Sequence, residues 1–345
     1  MEKNDVFDMP KPKTKLFGER ALRVTTSEMN AVFGEIQRLF KCNGVIQRMD
    51  LSKPLPSKSD HGDVDIVIEK MPGIDMKKYI HDELFYNFDK SYLIESVNNG
   101  PILHCLFASN AINKQVHVDF IFANSNEYDS TLMYLNYSDF SGILGVVARK
   151  LKFNYGSKGM FKIYVDKKGQ YHYVLLTRNL VDGLRIMGYG DIIHKYYDIQ
   201  NNVDIAAFIG YSDLFDSSYL IGSDLNRSDR KRLRAGRPSA RDLKAKLVDL
   251  NKKRVQMDDD YYLKLLFPDK YTDYLTTCKS IEDYVPVKSK YNGDWIMKNF
   301  TSIKPGPLIG KIQLHWSKLY GNQLGNIDEN QLISDTRQYI AENTV

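Results

Sequence analysis

Two short segments restrict this chain more than anything else in its sequence. Asp63 to Ile68 reads DVDIVI and Gln115 to Phe122 reads QVHVDFIF, and both alternate polar and apolar residues before turning apolar. Successive side chains of a strand point to opposite faces. Asp63 and Asp65 therefore leave one face, about 6–7 Å apart at the rise of a strand. In the second segment His117, Asp119 and Ile121 share a face opposite Val116, Val118 and Phe120. Aspartate is disfavoured in strands, yet it recurs three times here among β-branched residues that look buried. Acids held that way need a cation. The bland alternative is an Asp pair serving a turn at a strand start, with His117 as a core or supporting residue.

Around these strands the chain reads as two domains, since 345 residues exceed what one hydrophobic core usually holds. The expected fold class is α+β: a mixed sheet flanked by helices, then a mainly helical basic domain. Residues 1–20, with Pro10, Pro12 and several lysines, suggest a mobile arm, 21–200 a catalytic domain and 201–345 a helical nucleic-acid-binding domain. Met29, Val32, Phe33, Ile36 and Phe40 have helical spacing behind a cap at Thr26 or Ser27. A strand is expected at 45–49, a loop at 51–62, a helix at 75–90, and strands at 92–97 and 102–108. A helix at 139–153, a hairpin over 161–177 turning at Lys167-Lys168-Gly169, and a helix at 180–197 follow. Ser239 and Asp242 resemble a capping box ahead of Leu243, Leu247 and Leu250.

No stretch approaches the roughly 20 apolar residues of a membrane span, and the opening MEKNDVFDMP carries acids without an apolar run. A soluble, cytoplasmic protein without membrane partners is expected. Cys42, Cys105 and Cys278 lack zinc-site or disulfide-framework spacing, so reduced thiols are expected.

The net charge of +5 conceals a strong asymmetry. Between Arg227 and Arg254 twelve Lys/Arg face three Asp, a net of +9, which leaves the remainder near −4. Arg227, Arg230, Lys231, Arg232, Arg234, Arg237 and Arg241 are thus candidate nucleic-acid contacts, with a solvated helix face as the alternative.

The carboxylates suggest a chemistry. An all-oxygen donor set suits Mg²⁺, and two ions held by Asp63, Asp65 and Asp119, with Mn²⁺ able to substitute, would serve nucleotidyl transfer from a nucleoside triphosphate. Ser52, Lys58 and Ser59, with Lys53 and Ser57, could donate to a triphosphate from the loop that precedes the acids.

SDHGDVDIVI resembles the Gly-Asp-x-Asp strand of family X DNA polymerases and their relatives in the polymerase β-like nucleotidyltransferase superfamily. VHVDFIF is similar to their strand bearing the third carboxylate. The likeness covers about residues 30–200. It implies that Asp63 and Asp65 bind both metals, that Asp119 binds the catalytic one and helps deprotonate the attacking hydroxyl, and that Ser52 lies near the triphosphate. YLNYSDFSGILGVVARKLKF resembles the stretch that packs on the incoming sugar, which would turn Tyr134, Leu135 and Tyr137 to the nucleotide. Leu51 stands where the family has Gly, and Tyr137 replaces a small residue. KPGPLIGKIQLHW, Lys304 to Trp316, resembles a segment of bacterial CCA-adding enzymes and poly(A) polymerases, which favours an RNA acceptor, such as a tRNA 3′ end, over DNA. The base-selecting Arg-Arg-Asp and Glu-Asp-x-x-Arg motifs of the CCA enzymes are absent, as is a helix-hairpin-helix segment ahead of the strands. A template-directed family X-like DNA polymerase, a non-catalytic nucleic-acid-binding or structural protein, and transfer to a small molecule or protein are the competing readings.

Overall fold

A computed structural model describes residues 16–41, 44–87, 92–221, 230, 238–300, 307–320 and 327–343. It is α+β, with a mixed five-stranded sheet and many helices. Two compact units are present: residues up to 162 together with 175–267, and residues 163–174 together with 268 onward.

The first unit opens with helix α1, Thr26–Lys41. Its cap is Thr25, one residue before the expected Thr26 or Ser27. Thr25 Oγ1 accepts from the Glu28 amide at 3.2 Å, while Glu28 Oε2 accepts from the Thr25 amide at 2.9 Å. Of the expected stripe, Met29, Val32, Ile36 and Phe40 are buried and Phe33 is half-buried. Strand β1, Met49–Leu51, begins four residues later than expected. It pairs with Ile66–Ile68, and ahead of it the Arg48 carbonyl accepts from the Glu69 amide at 3.1 Å.

Strand β2, Val64–Glu69, leads into helix α2, Met76–Asp82, where a single wide turn over Glu83–Asn87 follows the expected helix. Strands β3, Leu93–Asn99, β4, Ile102–Ser109, and β5, Lys114–Ala123, complete a sheet in the order β1-β2-β5-β4-β3. β2 and β5 are parallel, and the other neighbours are antiparallel. One sheet face carries Val64, Ile66, Cys105, Val116, Val118 and Phe120 into a core with α1 and α2. On the other face Val67 and Ala123 pack against Tyr128 of helix α3, Tyr128–Leu135. At the β4–β5 turn the buried carboxylate of Glu35 on α1 accepts from Ser109 Oγ and from the amides of Asn110 and Ala111.

Helix α4, Phe140–Lys150, stops short of the expected end at Phe153, because Lys152 turns to φ 58° and the chain enters an unforeseen strand, β6, Phe153–Gly156. β6 pairs with β7, Gly159–Val165, which forms the expected hairpin with β8, Tyr171–Thr177. Gly159 is required there: at φ +122° a Cβ would lie 2.4 Å from the Thr177 carbonyl oxygen. The helix expected over 180–197 is divided into α5, Leu180–Ile186, and α6, Ile193–Tyr197. The break is Gly188 at φ +84°, where Ser212 and Tyr262 approach too closely for any side chain.

The boundary expected at residue 200 lies instead at 267, because the described residues between 201 and 267 pack into the first unit. Helix α7, Asn202–Tyr211, sends Phe208 against Phe140 and Tyr189, and Tyr189 donates to the Ile209 carbonyl. The helix Pro238–Asp249 starts ahead of Ser239, so the expected Ser239–Asp242 box does not cap it. Asp242 accepts from Asn202 and pairs with Lys246 instead, and Leu243 and Leu247 are buried while Leu250 is exposed.

The second unit comprises residues 163–174 of the hairpin and helices Pro268–Lys290, Gly293–Asn299, Pro307–Tyr320 and Glu329–Asn343. Tyr291, Ile296, Phe300, Ile312, Trp316 and Leu332 form its core. Of the segment Lys304 to Trp316, the residues from Pro307 onward lie in the helix Pro307–Tyr320, and residues 304–306 lie outside the described residues. No helix among the described residues is long and apolar enough to cross a membrane.

Candidate metal centre

Backbone pairing brings the acids together. β2 and β5 run parallel with Asp65 directly opposite Asp119, while Asp63, expected within the strand, lies immediately before β2, which begins at Val64. Ligand oxygens of Asp63, Asp65 and Asp119 all lie within 4.8 Å of one another. Asp63 is exposed, Asp65 half-buried and Asp119 only 8 % exposed, so the group grades from solvent into the sheet. Such a set of oxygens fits a hard cation: an octahedral ion bonded at about 2.0–2.1 Å spaces its donors about 3–4 Å apart, within reach of small carboxylate rotations.

Sequence reasoning missed His104. Its strand β4 alternates, but only the antiparallel register with β5 sets His104 beside Asp119. His104 Nδ1 and His117 Nε2 each lie 2.6 Å from Asp119 Oδ1, and the two nitrogens are 3.4 Å apart. Burial opposes charging of His117, but its hydrogen bond to Asp119 and the charges of Asp119 and Asp63 outweigh this and hold the imidazole above its ordinary range. Phe17, expected in a mobile arm, is buried edge-on against His117 at 5.0 Å, and its neighbour Arg20 pairs with Glu95. The rest of that arm, residues 1–15, lies outside the described residues.

The loop ahead of the acids is tied down. The Ser52 amide donates to the Asp65 carbonyl at 3.0 Å, which fixes the loop to the acid-bearing strand. Lys53 donates its amide to Asn136 Oδ1 and accepts from the Tyr137 amide, both at 2.8 Å. Lys58 Nζ lies 3.4 Å from Ser138 Oγ, Ser57 donates to the Gln200 carbonyl, and Leu55 is buried. Tyr137 and Ser138 both hold positive φ, 59° and 58°, a costly pair of conformations where the chain meets this loop. Ser52 is nearly buried, Lys58 half-buried and Ser59 exposed. His61 closes the loop: its backbone bridges Val24, its ring meets Thr26 Oγ1 at 3.0 Å, and burial holds it below its ordinary pKa range.

The sugar-facing residues divide. Tyr134 is half-buried with its ring 6.0 Å from Tyr155, and Leu135 packs beside Tyr128. Tyr137 is 2 % exposed, edge-on to Tyr196, with its hydroxyl toward the Tyr197 carbonyl. Its ring belongs to the core. Of the basic candidates, Arg230 and Arg241 are exposed, Arg241 on the helix Pro238–Asp249. Arg227, Lys231, Arg232, Arg234 and Arg237 lie outside the described residues.

No protein-family model and no curated protein matches this sequence, so the chemistry of the site rests on its geometry.

Proposed function

We propose that this chain is a metal-dependent nucleotidyltransferase with a polymerase β-like palm, moving a nucleoside monophosphate from a nucleoside triphosphate to the 3′-hydroxyl of a polynucleotide. The observation that carries the reading is the register of β2 and β5, which gathers Asp63, Asp65 and Asp119 to within 4.8 Å. Two Mg²⁺ or Mn²⁺ ions there would activate the hydroxyl and screen the leaving pyrophosphate. Asp63 and Asp65 would hold both ions, and Asp119 the one nearer the attacking oxygen. That oxygen bonds to the α-phosphorus, the bond to the bridging oxygen of the β-phosphate breaks, and the hydroxyl proton passes to Asp119 and on to solvent. Lys58 and Ser59, with the Ser52 hydroxyl and the Lys53 ammonium, are the triphosphate donors of this reading, and Tyr134 is its remaining nucleotide contact. The +9 segment supports a polynucleotide acceptor, since a small acceptor needs no phosphate track. RNA is favoured over DNA by the Lys304–Trp316 likeness.

Incorporation of labelled ribo- and deoxynucleotides onto single-stranded RNA, tRNA lacking its 3′ end and primed DNA, each with Mg²⁺ or Mn²⁺, tests this. Template-free RNA extension, lost in Asp63→Ala/Asp65→Ala, is expected. Template-directed extension of DNA alone would replace the acceptor. Salt-sensitive binding without incorporation on any acceptor would overturn the enzyme reading in favour of a binding protein.

A further inference from the structure

We propose that His104 Nδ1, His117 Nε2 and a carboxylate oxygen of Asp119 form a second cation site, which takes a borderline transition ion of the Zn²⁺ class rather than Mg²⁺. The donor set is the first reason. Two imidazole nitrogens and one carboxylate are ligands of Zn²⁺ and its neighbours, whereas Mg²⁺ takes oxygen and keeps its waters. Geometry is the second. A tetrahedral ion at about 2.0–2.1 Å from its ligands spaces them about 3.3–3.4 Å apart. The nitrogens stand at 3.4 Å already, and each lies 2.6 Å from Asp119 Oδ1, so a carboxylate rotation of well under 1 Å opens the site.

The surroundings suit a resident ion. The side chains of His104, His117 and Asp119 are 13 %, 17 % and 11 % exposed, reachable from solvent yet sheltered. All three stand on paired strands of one sheet: β4 and β5 place His104 opposite Asp119, and His117 follows the pleat two residues away. Phe17 packs on the His117 ring and restricts its rotation. Three protein ligands leave a fourth position for water or substrate. Asp119 then bridges, giving one oxygen to this ion and the other toward Asp63 and Asp65. The ion would orient Asp119, whichever reaction the neighbouring carboxylates serve.

The site stands independently of nucleotidyl transfer, because its test needs no nucleotide. The metal-free full chain is titrated with Co²⁺, followed by visible absorbance, and with Zn²⁺, followed by calorimetry. Tight binding of one ion is expected in the wild type and in Asp63→Asn/Asp65→Asn. In His104→Ala and in His117→Ala it should weaken more than about 100-fold, beyond the roughly 10–100-fold that losing an outer hydrogen-bond partner costs. Should either variant not fold, ¹⁵N spectra of histidine-labelled wild type decide: Zn²⁺ is expected to shift His104 Nδ1 and His117 Nε2. Absence of Co²⁺ and Zn²⁺ binding, unchanged imidazole resonances, or loss of the ion in Asp63→Asn/Asp65→Asn with retention in the histidine variants would overturn the proposal. In the last case the histidines only position Asp119. If the ion binds as described but no acceptor is extended, the transferase reading fails and the site stands.

Discussion

The five-stranded sheet and the C-terminal helical unit bury polar groups in opposite ways. In the sheet, Asp119 lies among two imidazoles and within 4.8 Å of two more carboxylates, an arrangement of converging ligands whose acids repel one another. In the helical unit, Trp316 Nε1 donates to Thr336 Oγ1 at 2.8 Å, and the Thr336 hydroxyl in turn donates to the Leu332 carbonyl. That pair is self-contained and leaves nothing for a ligand. The difference separates polar burial that serves packing from polar burial that points to chemistry: the first is satisfied within the fold, and the second calls for something from outside.

The strongest way to break the contrast is to replace Asp63→Asn with Asp65→Asn and read both activity and melting. Nucleotide incorporation should fall at least about 10³-fold, while Tm stays level or rises, because two mutually repelling charges are gone. A clear drop in Tm would make these acids structural. Trp316→Ala should act the other way, costing about 3–5 kcal/mol. Trp295 and Trp316 are the only tryptophans and both lie in the helical unit, so urea unfolding followed by the remaining Trp295 emission reads that region directly. An unshifted midpoint would mean that Trp316 is no core residue.

Two smaller changes sharpen the contrast. Glu35→Ala strands the three donors its carboxylate gathers at the β4–β5 turn, an expected loss of about 2–3 kcal/mol by denaturant titration. Because this turn joins the strands of His104 and Asp119, Co²⁺ affinity should weaken as well. Unchanged affinity would show the two strands to be held in register without it. Thr336→Val keeps the shape and removes one acceptor from Trp316, about 1 kcal/mol, visible as a shifted tryptophan emission with metal binding untouched.

Much of the site was legible from residue order. Period-two alternation placed Asp63 with Asp65 and His117 with Asp119, and the same alternation sent Val116, Val118 and Phe120 to the core, because a pleat leaves a strand no other choice. Helix α1 was readable from its stripe. The ends were not: α4 stopped at a positive φ on Lys152, and the helix over 180–197 broke where Ser212 and Tyr262 crowd Gly188, contacts made by distant parts of the chain. The boundary at 267 escaped for the same reason, since the apolar face of α7 gives no hint of Phe140 and Tyr189 as its partners.

What the sequence determined by itself was the set of local periodicities and the uneven charge, properties of neighbouring residues along one chain. Only the tertiary structure decided which strand lies beside which. The parallel pairing of β2 with β5 set Asp65 opposite Asp119, and the antiparallel pairing of β4 with β5 added His104, which nothing near it in sequence distinguishes. It also set the Tyr137 ring in the core, edge-on to Tyr196 from a distant part of the chain. Register is a long-range property: a shift of one residue would leave each strand's pattern intact while sending its polar side chains to the other face and dispersing the donors.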